Sequence, residues 1–294
     1  MERRKIAIIG GTVEGKPIEQ ADYVLAFNAH FSEHNDITAL DITQFVFDLH
    51  GDDFMITIPG GGQLNEYDII LCRGRLRQYT ELMYAISRYA NLNRIPIAND
   101  YSNYHNMSKL SQTVMMLEAK IPYIRTIFAH DKQVLKAYVE QYMPGAIVAK
   151  SNHGSHGKDN YLLNDASELA VVDSNDEQYI VQPFVPNESD FRILVMGDTK
   201  PTVIERIAAA NSHLNNTSKG AAARLVDDLP DVVIAQAKQL TRMVGQAIAG
   251  VDVIHDNRTG TYVFLEVNDQ PQIVTGAHTE QKMAQLQSLI DELH

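Results

Sequence analysis

Three oxygen-bearing side chains near the end of the chain have the types and spacing of a hard-metal site. Asp252 lies in the run GVDVI, and Glu266 and Asn268 lie two residues apart in FLEVNDQP. Alternate residues of a strand point to one face, so Glu266 and Asn268 project together, and a hairpin through 256–260 brings Asp252 beside them. Oxygen ligands without His or Cys suit Mg²⁺, which commonly completes its shell with water and nucleotide phosphates. The pattern predicts a Mg·ATP site, and the alternative is a hairpin with solvated acidic residues.

The composition is that of an ordinary globular protein. The 294 residues suffice for two or three domains, with 45% hydrophobic and 21% charged residues. No apolar run reaches the roughly 20 residues that span a bilayer, and a net charge of −12 argues against nonspecific nucleic-acid binding. The single Cys72 excludes an internal disulfide and a cysteine-based zinc site. The start of the chain lacks a signal-peptide core, so we expect a cytoplasmic enzyme without nucleic-acid or membrane partners.

The first hundred residues alternate strand-like and helix-like segments. Four short, Ile-rich segments bounded by turn residues read as strands, at 5–10, 55–59, 67–74 and 95–99. Residues 81–91 have the apolar spacing of a helix. This alternation predicts a parallel sheet with crossover helices. We therefore expect a small α/β domain over residues 1–105.

Two further units follow, over residues 106–185 and 186–294. In the first, residues 108–120 read as a helix with Leu110, Val114, Leu117 and Met115 on its buried side, followed by a strand over 121–129. A helix at 132–142 and strands at 146–152, 161–164 and 179–185 complete it. The second unit contains a long helix near 231–249, the metal hairpin and a C-terminal helix from about residue 279. Both units are expected to be α+β.

A glycine-rich segment after the first strand matches only part of the phosphate-binding P-loop motif. Residues 10–16, GGTVEGK, fit the first seven positions of a P-loop. The eighth position is Pro17, where the chemistry needs a Ser or Thr hydroxyl for Mg²⁺. We therefore interpret the segment as a strand-end turn, and a Walker-type NTPase is rejected on the same ground.

The loop KSNHGSHGKDN, over residues 150–160, is better suited to phosphate. Gly154 and Gly157 flank Ser155, so that backbone N–H groups can approach phosphate oxygens, and Lys150 at the strand end adds charge. The alternative is an ordinary turn between two strands. The loop histidines have no third ligand in the sequence pattern, so we interpret them as solvent-exposed.

Taken in order, these segments resemble the ATP-grasp superfamily, and within it the RimK-like carboxylate–amine ligases. The resemblance covers roughly residues 107–277. It implies an ATP-grasp fold preceded by a small parallel-sheet α/β domain. Residues 106–185 would form the N-terminal subdomain with the glycine-rich lid loop, and residues 186–294 the C-terminal subdomain with the Mg²⁺ site.

The resemblance assigns roles position by position. It places near the nucleotide phosphates Lys109, Lys150, Gly154, Ser155 and Gly157. It places in the segment that holds the adenine ring Gln182, Pro183, Phe184 and Val185. Asp190 falls at the ribose, Asn216 near the nucleotide and Lys219 near phosphate or substrate. The three metal ligands fall on Asp252, Glu266 and Asn268. The groups expected to stabilise the transferring phosphoryl group are Arg206, Lys150 and Arg192.

The turn after the metal ligands departs from the family. Family members commonly follow the metal-binding Asn with a small residue, Ser, Pro and Gly, whereas this chain continues Asp269, Gln270, Pro271, Gln272. The proline is kept, but bulkier glutamines replace Ser and Gly. This change leaves the metal site intact and argues against a RimK-like acceptor specificity.

The resemblance implies an ATP-dependent ligase that forms an amide or peptide bond through an acyl phosphate. Its cofactors would be ATP and Mg²⁺, with Mn²⁺ as an alternative ion. Its partners would be small-molecule or peptide carboxylate and amine substrates, and a homo-oligomer is left open. The alternatives are a ligase of the D-alanine–D-alanine or glutathione-synthetase type and a catalytically inactive ATP-binding regulatory protein.

Overall fold

The computed structural model describes residues 3–11, 17–74, 76–102, 107–154, 160–172, 178–207 and 222–293. The helices within these ranges are α1 (Asp22–Phe31), α2 (Thr80–Leu92), α3 (Lys109–Glu118), α4 (Lys132–Tyr142), α5 (Asp231–Met243) and α6 (Thr279–Glu292). The strands of the first hundred residues are β1 (Arg4–Gly10), β2 (Asn35–Asp41), β3 (Val46–His50), β4 (Asp53–Thr57), β5 (Ile69–Cys72) and β6 (Ile97–Ala98). The later strands are β7 (Ile127–Phe128), β8 (Ile147–Ser151), β9 (Asn160–Leu163), β10 (Tyr179–Pro183), β11 (Ser189–Met196), β12 (Thr202–Ile207), β13 (Ala222–Leu225), β14 (Ile248–Asp256) and β15 (Thr261–Asn268). The predicted mixed α/β class is confirmed.

The first sheet is parallel and has the strand order β2-β1-β5-β6. Its central strand β1 is buried from Ile6 to Gly10, as expected for a strand covered on both faces. The apolar side of α2, including Met83 and Ile86, packs on one face. The predicted parallel sheet is therefore confirmed.

One of the four predicted strands belongs elsewhere, and two strands, β2 and β3, were missed. The segment predicted at 55–59 lies in β4, which pairs with β3 as an antiparallel hairpin outside the parallel sheet. Its place in the parallel sheet is taken by β2, which pairs with β1 from Asn35 to Asp41. The β2 sequence NDITALD interleaves polar residues with apolar ones, so it lacks the Ile-rich signature of its neighbours.

Two antiparallel sheets follow in the second half of the chain. One has the order β7-β10-β8-β9 and shares a core with α4. The other has the order β13-β12-β11-β14-β15. One face of this five-stranded sheet packs against α3 and α5 through residues that include Ile193, Val251 and Leu240. That packing leaves the other face of its central strands for α6 and for polar side chains.

Three predictions for the second half need correction. Helix α3 buries Gln112 and Met116, and Met115 packs partly buried against the same core, while Val114 and Leu117 are exposed. The predicted buried side was therefore only partly right. Helix α5 ends at Met243 rather than near 249, because Gly245 takes the left-handed conformation that ends helices. The strand predicted over 121–129 is reduced to β7, and the chain before it instead accepts a hydrogen bond at Pro122 O from Phe264 N (2.9 Å).

Helix α6 joins the first sheet to the five-stranded sheet. Its Leu286 and Ile290 lie in one core with Ile6 of β1 and with Leu194 and Ile248 of the later sheet. The proposed boundaries at 105/106 and 185/186 remain predictions. Among the described residues, no helix is long and apolar enough to cross a membrane.

Asn99 is a polar link between the same two sheets. Its side chain is fully buried; Nδ2 donates to Ile248 O (3.2 Å) and Asp269 O (3.1 Å), and Oδ1 accepts from Ile248 N (2.7 Å). Its φ of 66° is left-handed, a conformation that Asn tolerates better than most residues. One side chain therefore forms hydrogen bonds with backbone groups at the start of β14 and at the start of the turn after β15.

We expect Asn99→Ala to lower the free energy of unfolding by about 3 kcal/mol, because it leaves buried backbone groups without partners and puts alanine in a left-handed conformation that it tolerates less well than asparagine. Urea denaturation followed by circular dichroism measures the change. Asn65→Ala, at an exposed position, is the matched control. Equal stability of the two variants would show that this link does not hold the sheets together.

Candidate functional site

The predicted metal hairpin forms as expected. Strands β14 and β15 pair with Asp252 opposite Glu266 and Gly250 opposite Asn268. On the other side of β14, Asp252 lies opposite Arg192 of β11. Cross-strand neighbours share a face, so the three candidate ligands and Arg192 lie together.

The row of polar residues continues onto β12. Asp190 of β11 pairs in register with Arg206 of β12, and Asp190 is two residues from Arg192. Period-two alternation therefore puts Asp190, Arg192, Arg206 and Asp252 on one sheet face. The opposite face carries the apolar residues of the core shared with α3 and α5.

Two guanidinium groups hold the Asp252 carboxylate. Arg192 donates from Nε to Oδ1 and from Nη2 to Oδ2, the latter at 2.8 Å. Arg206 Nη2 lies 3.1 Å from Asp252 Oδ1. The same Arg206 makes a bidentate contact to Asp190, from Nε to Oδ1 (2.6 Å) and from Nη2 to Oδ2 (2.8 Å). Such forked, charge-assisted contacts fix both arginines in orientation.

Gly250 makes room for the Arg192 side chain. A Cβ at this position would lie 2.8 Å from Arg192 Cδ and 3.1 Å from Pro271 Cβ. Both separations are shorter than van der Waals contact, so only glycine lets Arg192 cross β14 beneath the turn after β15.

The two aspartates respond differently to their shared arginine. Burial raises the pKa of Asp252, but Arg192 and Arg206 outweigh burial and hold that pKa below its usual range. For Asp190, burial is the largest influence and the Asp252 charge adds to it, so the pKa rises to about 6 despite Arg206. Burial disfavours the Arg206 cation, yet both aspartates raise its pKa. Of the two carboxyl groups, Asp252 is therefore the one that ionises more readily.

The donor set fits a hard cation. Asp252 Oδ1 accepts from both arginines and Oδ2 from one, so Oδ2 keeps a lone pair. Glu266 Oε1 lies 3.3 Å from Asn268 Nδ2, which directs the amide oxygen of Asn268 away from Glu266. In the described part of the chain, no three His, Cys, Asp or Glu side chains form a metal cluster. Mg²⁺ here would need Glu266, Asn268, one oxygen of Asp252 and ligands from outside the protein.

Two lysines, Lys109 of α3 and Lys150 of β8, lie near the hairpin. Lys109 opens α3 next to the cap Ser108, and its Nζ lies 3.4 Å from Glu266 Oε2 and donates to Gly154 O (2.8 Å). Burial lowers the pKa of Lys150, Lys109 lowers it further, and Glu266 and Asp252 oppose the change. The structure thus brings together Lys109, Lys150, Gly154 and the metal hairpin.

The predicted adenine segment lies at the end of β10. Gln182 is buried and donates to Thr126 Oγ1 (2.9 Å), while its Oε1 has no hydrogen-bond partner. Phe184 N already donates to Ala146 O (2.9 Å), and Pro183 has no N–H. Val185 packs with Ile124 and Ile254 in a small apolar cluster. Among the buried side-chain polar atoms of this segment, the Gln182 carbonyl oxygen is the one without a hydrogen-bond partner in the described part of the chain.

The ribose assignment of Asp190 is not evident in the geometry, because both of its oxygens face Arg206. In this arrangement Asp190 positions Arg206, and the ribose contact stays a prediction. Four assigned residues fall outside the described residues: Ser155, Gly157, Asn216 and Lys219.

The turn after β15 contains contacts that the sequence did not reveal. Gln270 Oε1 accepts from Gly74 N (3.0 Å), and Arg73 Nη2 donates to Pro271 O (2.8 Å). Lys282 of α6 is buried and donates to Gln272 O (3.2 Å) and Thr275 O (2.6 Å). The departure at Gln270 was visible in the sequence, but its partner was not.

The fold and the site together define an ATP-grasp protein. The model of the RimK-like ATP-grasp domain matches residues 106–292, and the chain belongs to this family.

Curated relatives are ligases and are matched over part of their length. The chain is 29% identical over 194 residues to the alpha-aminoadipate–LysW ligase LysX of Saccharolobus solfataricus, covering 60% of this chain and 66% of LysX. It is 32% identical over 152 residues to a probable alpha-L-glutamate ligase of Xanthomonas oryzae, covering 50% of each. It is 25% identical over 236 residues to the glutathione synthetase of Rhodopseudomonas palustris, covering 75% of this chain and 72% of that enzyme.

Solved structures share the fold over nearly the whole chain. The ATP-grasp ligase PsnB, complexed with a phosphomimetic variant of its minimal precursor, Mg and ADP, superposes with a TM-score of 0.73 at 14% identity, over 99% of each chain. D-alanyl-alanine synthetase A of Vibrio cholerae superposes with a TM-score of 0.67 at 14% identity, over 99% of this chain and 97% of the other. At these identities the likeness shows the fold alone.

The buried Lys282 predicts a pH-dependent stability. Burial, aided by the Arg192 charge, lowers its pKa from 10.5 to about 8. Between these values the unfolded chain binds more protons than the folded one, so this group makes stability rise with pH across that window. We expect wild type to gain up to about 3 kcal/mol relative to Lys282→Met from pH 8 to pH 10.5, measured by urea denaturation. The same comparison with Lys200→Met, at a well-exposed lysine, should show no pH-dependent difference; a pH-independent difference for Lys282→Met would contradict the assignment.

Proposed function

We propose that the chain is an ATP-dependent carboxylate–amine ligase that forms an amide bond on an amino acid or peptide substrate. The observation that carries the proposal is the single sheet face on which Asp252, Glu266 and Asn268 lie beside Arg192 and Arg206. ATP phosphates and an activated carboxylate are anions, and catalysis of their reaction depends mainly on positioning and neutralising charge. Membership of the RimK-like family supports the reaction class, and the names of the ligase relatives support amino acid substrates.

The proposed reaction has two steps. A carboxylate oxygen of the first substrate attacks the γ-phosphorus of ATP, and the bond from that phosphorus to the bridging oxygen of ADP breaks. The amine of the second substrate then attacks the carbonyl carbon of the acyl phosphate, phosphate leaves, and the nitrogen loses a proton. The incoming groups are the substrates themselves, so the mechanism needs no Ser or Cys nucleophile.

The residues of the sheet face have separate tasks in this proposal. Arg206 and Arg192, held in place by Asp190 and Asp252, present guanidinium N–H groups to the transferring phosphoryl group. Lys150 faces the same region. Among the described residues it has no acidic partner within ion-pair distance, so a phosphate group can serve as its counter-ion. Mg²⁺, when bound with the nucleotide, supplies further positive charge at the phosphates.

The remaining assignments are part of the same proposal. Lys109, through its contact with Gly154 O, would link the glycine-rich loop to the metal hairpin when the loop covers the phosphates and excludes water. The adenine and ribose positions, and the use of Mn²⁺ in place of Mg²⁺, stay predictions. So do a cytoplasmic location and a homo-oligomeric state.

A second candidate is a ligase with the same site and another substrate pair, as in the glutathione-synthetase and D-alanyl-alanine synthetase types. A glutathione synthetase is matched over 72% of its length, which favours this reading for the choice of substrates. A catalytically inactive ATP-binding protein would instead bind ATP tightly and release no ADP in response to substrates.

The test is ADP release across a panel of amino acids and short peptides, followed by mass spectrometry of the product. We expect release to require both a carboxylate and an amine, and to fall by about 100-fold or more in Glu266→Gln and Asn268→Ala, because each change removes a ligand oxygen at the phosphates. Glu280→Gln makes the same chemical change at an exposed position of α6 and should leave the rate unchanged. Wild-type turnover in Glu266→Gln would refute the metal assignment, and ADP release without an amine-containing product would refute the ligase.

A further inference from the structure

A second polar site lies where the parallel sheet changes its direction of winding. In this sheet β2 pairs with one edge of β1, and β5, which comes later in the chain, pairs with the other edge. The carboxyl ends of β1 and β5 therefore flank the topological switch point, where the strand order reverses. In α/β sheets, ligands bind in the crevice outside this point. Here it is formed by Gly10 and by Arg73, whose backbone N donates to Ile9 O (2.9 Å).

Most N–H donors of the Arg73 side chain have no hydrogen-bond partner among the described residues. The side chain is 6% exposed, and Nη2 donates to Pro271 O (2.8 Å). Nε and Nη1 are buried and have no hydrogen-bond partner among the residues that the structure describes. Burial lowers the pKa of Arg73 to about 10, and nearby Asp269 partly offsets this effect, so the group is a cation at neutral pH. A buried guanidinium with free N–H groups is costly unless an acceptor binds there.

Tyr23 of α1 adds a further donor to the same place. Its Oη is buried and has no hydrogen-bond partner in the described ranges of the chain. Burial raises its pKa to about 12, so it carries its proton at neutral pH. A Cβ on Gly10 would lie 2.4 Å from Tyr23 Oη and 2.6 Å from Arg73 O. The glycine thus lets the phenol approach the end of β5.

This cluster adjoins the proposed reaction centre through one turn. Pro271, the acceptor of the Arg73 hydrogen bond, lies three residues beyond the metal ligand Asn268. A Cβ on Gly250 would lie 3.1 Å from Pro271 Cβ and 3.0 Å from Arg192 Nη1, and Arg192 holds Asp252. A small substrate can therefore be bound at Arg73 while another of its groups reaches the sheet face.

We propose that Arg73 and Tyr23 form a subsite for a substrate carboxylate that does not react. This inference rests on the proposed ligase function, in which both substrates pass next to this turn. A carboxylate offers about four lone-pair positions on two oxygens, which match the free Nε and Nη1 donors of Arg73 and the phenol of Tyr23. Two sources have this chemistry: a second carboxylate on the donor substrate, and the α-carboxylate of an amino acid that supplies the amine.

The test uses L-glutamate as the probe, since it carries two carboxylates and one amine on a small skeleton. Calorimetric titrations in the presence of ADP and Mg²⁺ compare L-glutamate with L-glutamine and with the α-amide of L-glutamate. We expect wild type to bind L-glutamate and to bind one of the two amides at least about tenfold more weakly, which identifies the carboxylate that Arg73 holds.

The variants are Arg73→Gln and Tyr23→Phe, with Arg88→Gln and Tyr84→Phe as matched controls at exposed positions of α2. Tyr23→Phe removes only a hydroxyl that has no hydrogen-bond partner among the described residues. We therefore expect the folded structure of this variant to keep the other contacts of the ring. We expect both site variants to bind L-glutamate about tenfold or more weakly, while their ADP affinity and both controls stay at wild-type values.

Wild-type affinity for L-glutamate in Tyr23→Phe, or the absence of L-glutamate binding to wild type, would overturn the subsite. So would a tenfold loss of ADP affinity in Tyr23→Phe, which would place a phosphate there instead. Failure of the ligase proposal gives a different result: no substrate pair releases ADP, while the amide and variant effects on L-glutamate binding persist.

Discussion

The buried carboxylate of Asp252 is the interaction on which the site depends. An isolated charge at this depth would be prohibitive, and two guanidinium groups compensate it only because the strands around it are in one register. A one-residue slip of β11 would send Arg192 to the apolar face and deprive the carboxylate of its bidentate guanidinium partner. The same slip would put Ile193 among polar groups, so the apolar core and the ion pairs select the same register.

Much of this site could be predicted because it is local. Asp252, Glu266 and Asn268 belong to one hairpin, and the period of two along a strand is enough to bring them together. The phosphate-side lysines could be placed in order along the chain for a similar reason, since each follows a recognisable helix start or strand end. The parallel sheet was predicted from Ile-rich segments, whereas β2 and β3 escaped because polar residues interrupt their apolar pattern.

What could not be predicted depends on contacts between distant segments. The pairing of Asp190 with Arg206 requires the register of β11 with β12, which no local pattern encodes. The buried side of α3 was predicted from hydrophobicity, yet Gln112 is the residue that faces inward, because its side chain bonds to Val267 N and O on β15. A polar residue in a core is favourable when its partners are satisfied, and those partners lie 155 residues away.

The turn after β15 connects the candidate metal hairpin to the first sheet. The turn begins directly after Asn268. It contacts the end of the first sheet at two points: Gln270 Oε1 accepts from Gly74 N, and Pro271 O accepts from the buried Arg73. Asn99 fixes the start of the turn at Asp269, and Lys282 fixes its end at Thr275. Because both ends are held through backbone carbonyl groups, we expect that the side chains between them can change without moving the candidate metal ligands. The glutamines that depart from the family occupy these positions, and Gln270 directs its amide to the domain where the second carboxylate is proposed to bind.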